Sequence, residues 1–193
     1  MACRTIAEPV VILASASPRR AELLRQIAVP FRCEPRAVDE SAIGADTARE
    51  RVLAIARAKA AAGGGSALPV LAADTEVVLD GEVLGKPSDY ADAMVMLGRL
   101  SNRAHWVYTA VVVRKGAQCF EAVGETEVWF RALTSREIER YCESGEPLDK
   151  AGGYGIRGRA AVFIRRIEGS YSNVVGLPLY ETAMLLSRAG IDL

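Results

Sequence analysis

Val10-Val11-Ile12-Leu13-Ala14-Ser15-Ala16-Ser17-Pro18-Arg19-Arg20 sets the fold. Val10–Ala14 is a short apolar run that reads as a buried strand. Ser17-Pro18 follows as a helix N-cap with proline at the first helical position, and Leu23, Leu24 and Ile27 give that helix an apolar face. A strand delivered straight into a helix N-terminus is an anion site, because free backbone N–H groups and the positive end of the dipole meet there. Arg19 and Arg20 in the first turn oppose that dipole. An anionic ligand removes the conflict; two solvated surface arginines are the competing reading.

The same alternation continues along the chain. Thr47-x-x-Glu50 is a capping box that opens a helix to about Ala62, and Gly63-Gly64-Gly65-Ser66 reads as a flexible turn. Phe31–Val38 is strand-like. Val70–Leu79 is a strand, Asp80-Gly81 a two-residue hairpin turn, and Glu82–Leu84 the returning strand. Ser88-Asp89 caps a helix with the stripe Ala93, Met94, Met96, Leu97 and Leu100. His105–Val113 and Gln118–Phe130 read as antiparallel strands around Arg114-Lys115-Gly116. Thr134-x-x-Glu137 opens a helix that stops near Ser144-Gly145, and Asp149–Gly158 is a glycine-rich loop. Ala160–Ile167 reads as a strand and Leu179–Ala189 as a last helix. The expected fold class is α/β, one domain over residues 1–193, with a mixed sheet.

Composition narrows the classes of function. The 193 residues carry 24 Lys+Arg against 24 Asp+Glu, which disfavours a general nucleic-acid binder. Half the residues are apolar, enough for a core without metal or disulfides. Cys3, Cys33, Cys119 and Cys142 lie far apart with no C-x-x-C pairing, as expected of reduced thiols. His105 is the only histidine, so no His-rich metal site exists, and its strand context marks it as structural. Val10–Ala14 is too short for a signal-peptide core, and no stretch approaches the roughly 18 apolar residues of a membrane span. A cytoplasmic protein is expected.

Three further residues stand out. Lys59 lies within about 60° of Val52, Ile55 and Ala56 on a helical wheel, on or beside the apolar stripe. Either its stem packs and its ammonium snorkels to water, or the ammonium points into a cleft. Asp74 ends the apolar run Val70–Ala73, where a carboxylate builds a base or metal site or merely satisfies turn amides. Lys86 lies on the rigid turn Gly85-Lys86-Pro87, and Asp39-Glu40 adds carboxylates. Gly153-Tyr154-Gly155-Ile156-Arg157-Gly158 fits a dinucleotide pattern but precedes a strand, the reverse of the required context. No Walker A or G-x-S-x-G motif occurs. An anion corner, several cations (Arg19, Arg20, Lys59, Lys86) and a few acids together point to binding or hydrolysis of a small polyphosphate.

Five segments carry a family resemblance: Leu13–Arg20, Ala56–Lys59, Ala73–Thr75 with Gly85–Pro87, Glu146–Gly155, and Gly169–Pro178. In that order the chain resembles the Maf family of nucleoside triphosphate pyrophosphatases. The resemblance implies an inosine-triphosphatase-type fold: a mixed twisted sheet with flanking helices and two lobes around a cleft. It also implies a homodimer and hydrolysis of a nucleoside triphosphate to the monophosphate and pyrophosphate, with Mg²⁺ or Mn²⁺. By position, Asp74 matches the proton acceptor, Ser15, Arg20, Lys59 and Lys86 match phosphate contacts, and Glu40, with Asp74, matches the metal site. Arg19, Thr75 and Arg157 match positions linked to substrate choice. The pyrimidine-selective subgroup, acting on dTTP and UTP, usually has glutamine where this chain has Arg157, so broadened base specificity is expected. Glu76 replaces a usual apolar residue and Asn102 a usual glycine, both with little expected effect on chemistry. A nucleotide-binding regulator of septum formation that needs no turnover is the alternative reading.

Overall fold

The computed structural model describes residues 8–62 and 65–193. Cys3 and the Gly63-Gly64 part of the expected turn lie outside them. Strands β1 (Val11–Leu13), β2 (Phe31–Cys33), β3 (Val70–Leu79), β4 (Glu82–Leu84), β5 (Ala104–Lys115), β6 (Gln118–Phe130) and β7 (Ile164–Glu168) form one seven-stranded sheet in the order β2-β1-β3-β5-β6-β7, with β4 paired to β3. β1 runs parallel to β2 and β3; every other pairing is antiparallel, so the sheet is mixed as expected. Helices α1 (Pro18–Gln26), α2 (Ala48–Ala61), α3 (Tyr90–Leu100), α4 (Ser135–Cys142), α5 (Tyr171–Val175) and α6 (Leu179–Arg188) cover its faces.

Local chemistry explains most of these boundaries. Both capping boxes form: the Thr47 and Thr134 hydroxyls accept from the amides of Glu50 and Glu137, whose carboxylates reach back to the cap amides. Asp80 and Gly81 adopt φ of +53° and +82°, the double left-handed geometry of a tight hairpin. Asn102 takes φ +57°, which explains how asparagine replaces the usual glycine there.

Several expected boundaries shift. Phe31–Val38 is strand only through Cys33, since Pro35 has no amide to extend the ladder. The β5–β6 turn is Gly116-Ala117, because Lys115 still pairs with Gln118. Ala160–Ile167 divides into a 3₁₀ turn over Arg159–Phe163 and β7. Ser17 occupies the N-cap of α1, yet its side chain makes no cap bond.

Packing positions the cleft. On one sheet face, Val52, Ala56 and Ala60 of α2 cover Ile12, Ala72, Ala110 and Val112. The small Ala pair lets the helix approach closely. On the other face, α1 and α6 pack Leu24, Leu185 and Leu186 over Leu13, Leu71 and Val111. Further along that face, Leu97, Leu100 and Tyr141 of α3 and α4 pack over Val77, Leu79 and Val128. Between these two clusters β3 and β5 present Thr75 and Thr109, directly paired, with hydroxyls 3.0 Å apart. This polar pair interrupts the apolar stripe between the two lobes; Thr109 is buried beneath α5, and Thr75 lines the cleft. The free edge of β3 adds to the opening: β1 pairs only through Leu71 and β4 begins only at Val77.

Candidate active site

The cleft has a volume of about 680 Å³, within the range of small-molecule sites. Asp74 lies on its floor, on the α2 side of β3, and Thr75 lies on the other side. α2 runs antiparallel to β3 and brings Lys59 over Asp74, with Nζ donating to Oδ1 at 2.7 Å. The same ammonium pairs with a Glu40 oxygen at 2.6 Å. Lys59 therefore points into the cleft, and the snorkelling alternative does not hold.

Arg20 forms a second connected group. Its Nε donates to the Gly176 carbonyl at 2.8 Å, Nη1 to the Ser15 hydroxyl at 3.2 Å, and Nη2 to the Thr75 hydroxyl at 3.1 Å. Arg20 is thus no solvated surface arginine. Ser15 is buried, and its oxygen also accepts from the Ser17 amide at 3.2 Å. Gly176 is held in place by α5, whose buried Asn173 donates to the Val107 carbonyl and the Thr126 hydroxyl, both at 2.9 Å. That five-residue helix carries no apolar stripe, which is why the sequence did not reveal it.

The remaining expected residues lie around the rim. Lys86 is exposed on the turn after β4 and lines the cleft. The Gly85 carbonyl in that turn accepts from the Gly152 amide at 2.9 Å, tying the turn to the glycine-rich loop. Gly152 has φ +68°, and a Cβ there would lie 2.9 Å from Val77 Cγ1, so only glycine fits. Arg19 pairs with Asp149 at 2.9 Å, and Arg157 pairs with Glu22. Both pairs join α1 to the glycine-rich loop across one wall of the cleft. Arg157 thus lines the cleft with its guanidinium engaged by a carboxylate.

Electrostatics differ between the two clusters. Burial pushes the Asp74 carboxyl above the usual carboxylate range, while Lys59 and Arg20 pull it back. A carboxylate raised in this way is better matched to accepting a proton near neutral pH. Burial also lowers the Arg20 guanidinium, against the attraction of Asp74, although an arginine stays charged.

Glu76 lies in the cleft although the sequence did not mark it as a site residue. It is 4% exposed, two residues beyond Asp74 on the same face of β3, and it lines the cleft. It forms an ion pair with Arg51 of α2. Burial raises its carboxyl, and Arg51 opposes that rise. A second carboxylate on the same face of a largely apolar strand was the available signal, of the same kind that singled out Lys59. His105, in contrast, is structural as expected: it is buried, with Nε2 2.8 Å from the Tyr154 hydroxyl. Cys33, Cys119 and Cys142 are unpaired.

Fold and cleft together define a mixed α/β protein with an interlobe pocket floored by a carboxylate and lined by cations. Residues 10–189 match the family model described as "Maf-like protein", and the chain belongs to that family. It is 52% identical to the dTTP/UTP pyrophosphatase of Bordetella avium, over 96% of this chain and 98% of that one. The dTTP/UTP pyrophosphatase of Symbiobacterium thermophilum is also 52% identical, over 93% and 94% of the two chains. Among solved structures, a HAM1 protein from Coxiella burnetii shares the fold with a TM-score of 0.50 at 17% identity, over 92% of this chain and 98% of that one. That likeness agrees with the inosine-triphosphatase-type architecture. Among the described residues, no helix is long and apolar enough to cross a membrane.

Proposed function

We propose that this protein hydrolyses nucleoside triphosphates, dTTP and UTP foremost, to the monophosphate and pyrophosphate. The observation that carries the reading is Asp74, a buried carboxylate with a raised pKa, joined to Lys59 and Glu40 at the floor of a cation-lined cleft. Relatives named for that activity at about half identity over nearly the whole chain support it.

Each residue then has a task. Asp74 accepts a proton from the attacking water as the bond to the α-phosphorus forms. Lys59 and Lys86 neutralise charge on the triphosphate and on the departing pyrophosphate. Arg20, with Ser15 and the α1 N-terminus, receives phosphate oxygens. Thr75, Arg19 and Arg157, which line the cleft, take the task of selecting the base.

The donor set fits a hard divalent cation. Asp74 and Glu40 reach one ammonium, so both carboxylates can serve one ion. Among the described residues no three acidic, histidine or cysteine side chains form a ready-made cage. One or two carboxylates suffice for Mg²⁺ or Mn²⁺ when phosphates and waters complete the shell. Bound there, the ion would supply charge neutralisation to the phosphates. A homodimer in the cytoplasm belongs to the same proposal, with light scattering as the check on assembly.

The test is a panel of nucleoside triphosphates incubated with purified protein and Mg²⁺ or Mn²⁺, scoring pyrophosphate against orthophosphate. Pyrophosphate from dTTP and UTP is the expected result. Nucleotide binding without turnover would instead support the regulatory reading.

A further inference from the structure

We infer that Arg51 and Glu76 are positioning residues that hold Glu40 in place over the Lys59–Asp74 pair. The inference rests on the proposed reading for the task of Glu40, and on geometry alone for how Glu40 is held. Glu40 opens an exposed three-residue 3₁₀ turn, Glu40–Ala42, between β2 and α2. Among the described residues, apart from local bonds of Asp39 to Ser41 and of the Ile43 amide to the Glu40 carbonyl, two side chains of α2 hold it. Lys59 takes its carboxylate at 2.6 Å, and Arg51 Nη2 donates to its carbonyl at 3.3 Å.

Each of these cations is in turn fixed to β3, Lys59 by Asp74 and Arg51 by Glu76. Arg51 and Lys59 are eight residues apart, about 12 Å along the helix. Asp74 and Glu76 are two apart, about 7 Å along the strand, on one face. Helix and strand run in opposite directions, so the two cation–carboxylate pairs follow one another along the cleft, closer together at the strand than at the helix, and Glu40 touches the cation of each. The Lys59 pair belongs to the chemistry. The Arg51 pair touches only the backbone of Glu40 and sets where that residue stands.

Glu76 is buried and Arg51 partly so; burying a carboxylate is a costly way to fill space, and apolar residues of similar volume serve stability as well or better. Among the described residues, one buried carboxylate oxygen of Glu76 has no hydrogen-bond partner, so the pair is not optimised for stability. The hydrogen bond that Arg51 donates to the Glu40 carbonyl is what an apolar pair could not make.

The test compares wild type with Arg51→Met, Glu76→Val and the double variant, which replaces the ion pair by an apolar one and avoids leaving a lone buried charge. Backbone order parameters of Ser41, Ala42 and Ile43 should fall from about 0.85 to below about 0.6 in all three. Turnover should drop about tenfold in kcat with KM changed less than twofold. In a Glu40→Gln background, Arg51→Met should cost nothing further. Unchanged order in residues 41–43, or a full kcat loss that persists without the Glu40 carboxylate, would overturn the inference. Failure of the wild type to release pyrophosphate would defeat the proposed activity and leave the order measurement to decide the positioning.

Discussion

Replacing Lys59 by Met keeps the length and packing of the stem and removes one charge from a group of three. Lys59 is 14% exposed and Asp74 11%, so the pair is largely withdrawn from water, whereas Glu40 is 49% exposed. Leaving the Asp74 side unpaired costs about 3 kcal/mol of stability, the low end for a broken buried pair, because Arg20 still attracts the carboxylate. The Glu40 side adds less than about 1 kcal/mol. The variant is therefore expected to melt lower but to remain folded at 25 °C. Loss of a charge-assisted contact to phosphate is worth about 1.5–3 kcal/mol, or roughly 10- to 150-fold in kcat/KM. Because that contact is to the triphosphate chain, dTTP, UTP, CTP and GTP should all lose similar factors and keep their rank order. The pH profile changes too. Lys59 pulls the Asp74 carboxyl down against burial, so its removal lets that carboxyl rise further. A base works only when deprotonated, and the acid limb of kcat/KM must then move to higher pH. Steady-state kinetics of the four nucleotides across pH, beside a thermal melt, measures all of this. A change in base preference alone, or an acid limb that stays put, would refute the placement of Lys59.

Other outcomes follow from the same geometry. Asp74→Asn should lower kcat by roughly 10²–10⁴ while nucleotide binding, followed by calorimetry, changes far less. Arg157→Gln replaces a donor-only group by one that can both donate and accept, and should raise the ratio of kcat/KM for dTTP or UTP over CTP. An unchanged ratio would mean that Glu22 keeps Arg157 off the base. Burial holds the His105 imidazole at about 3, against 6.5 in the unfolded chain. Its contribution to stability is full above pH 6.5 and declines by about 1.4 kcal/mol per unit as pH falls toward 3. Urea melts of His105→Gln should show a flatter loss of stability than wild type between pH 6 and about 4.5.

What could be read beforehand was what depends on neighbours in the chain. The boxes at Thr47 and Thr134, the Asp80-Gly81 turn and the run Val70–Leu79 are local physics, and they formed as read. Lys59 was visible because a charge on an apolar helix stripe demands a reason. Its partners were not, since Asp74 and Glu40 reach it only once α2 lies across β3. Arg51 and Glu76 lie 25 residues apart, and neither explains the other until the sheet exists. The same holds for Arg20, whose acceptor at Gly176 is 156 residues away. The 3₁₀ turn at Arg159–Phe163 escaped detection because its apolar residues suit a strand equally well, and only packing decides.

The most direct measurement is hydrolysis of dTTP in ¹⁸O-labelled water with Mg²⁺, followed by mass analysis of both products. Attack on the α-phosphorus, with Asp74 taking the proton, places one ¹⁸O in the nucleoside monophosphate and none in the pyrophosphate, and Asp74→Asn should abolish that labelling on the same timescale. Label in pyrophosphate or in orthophosphate would contradict the account.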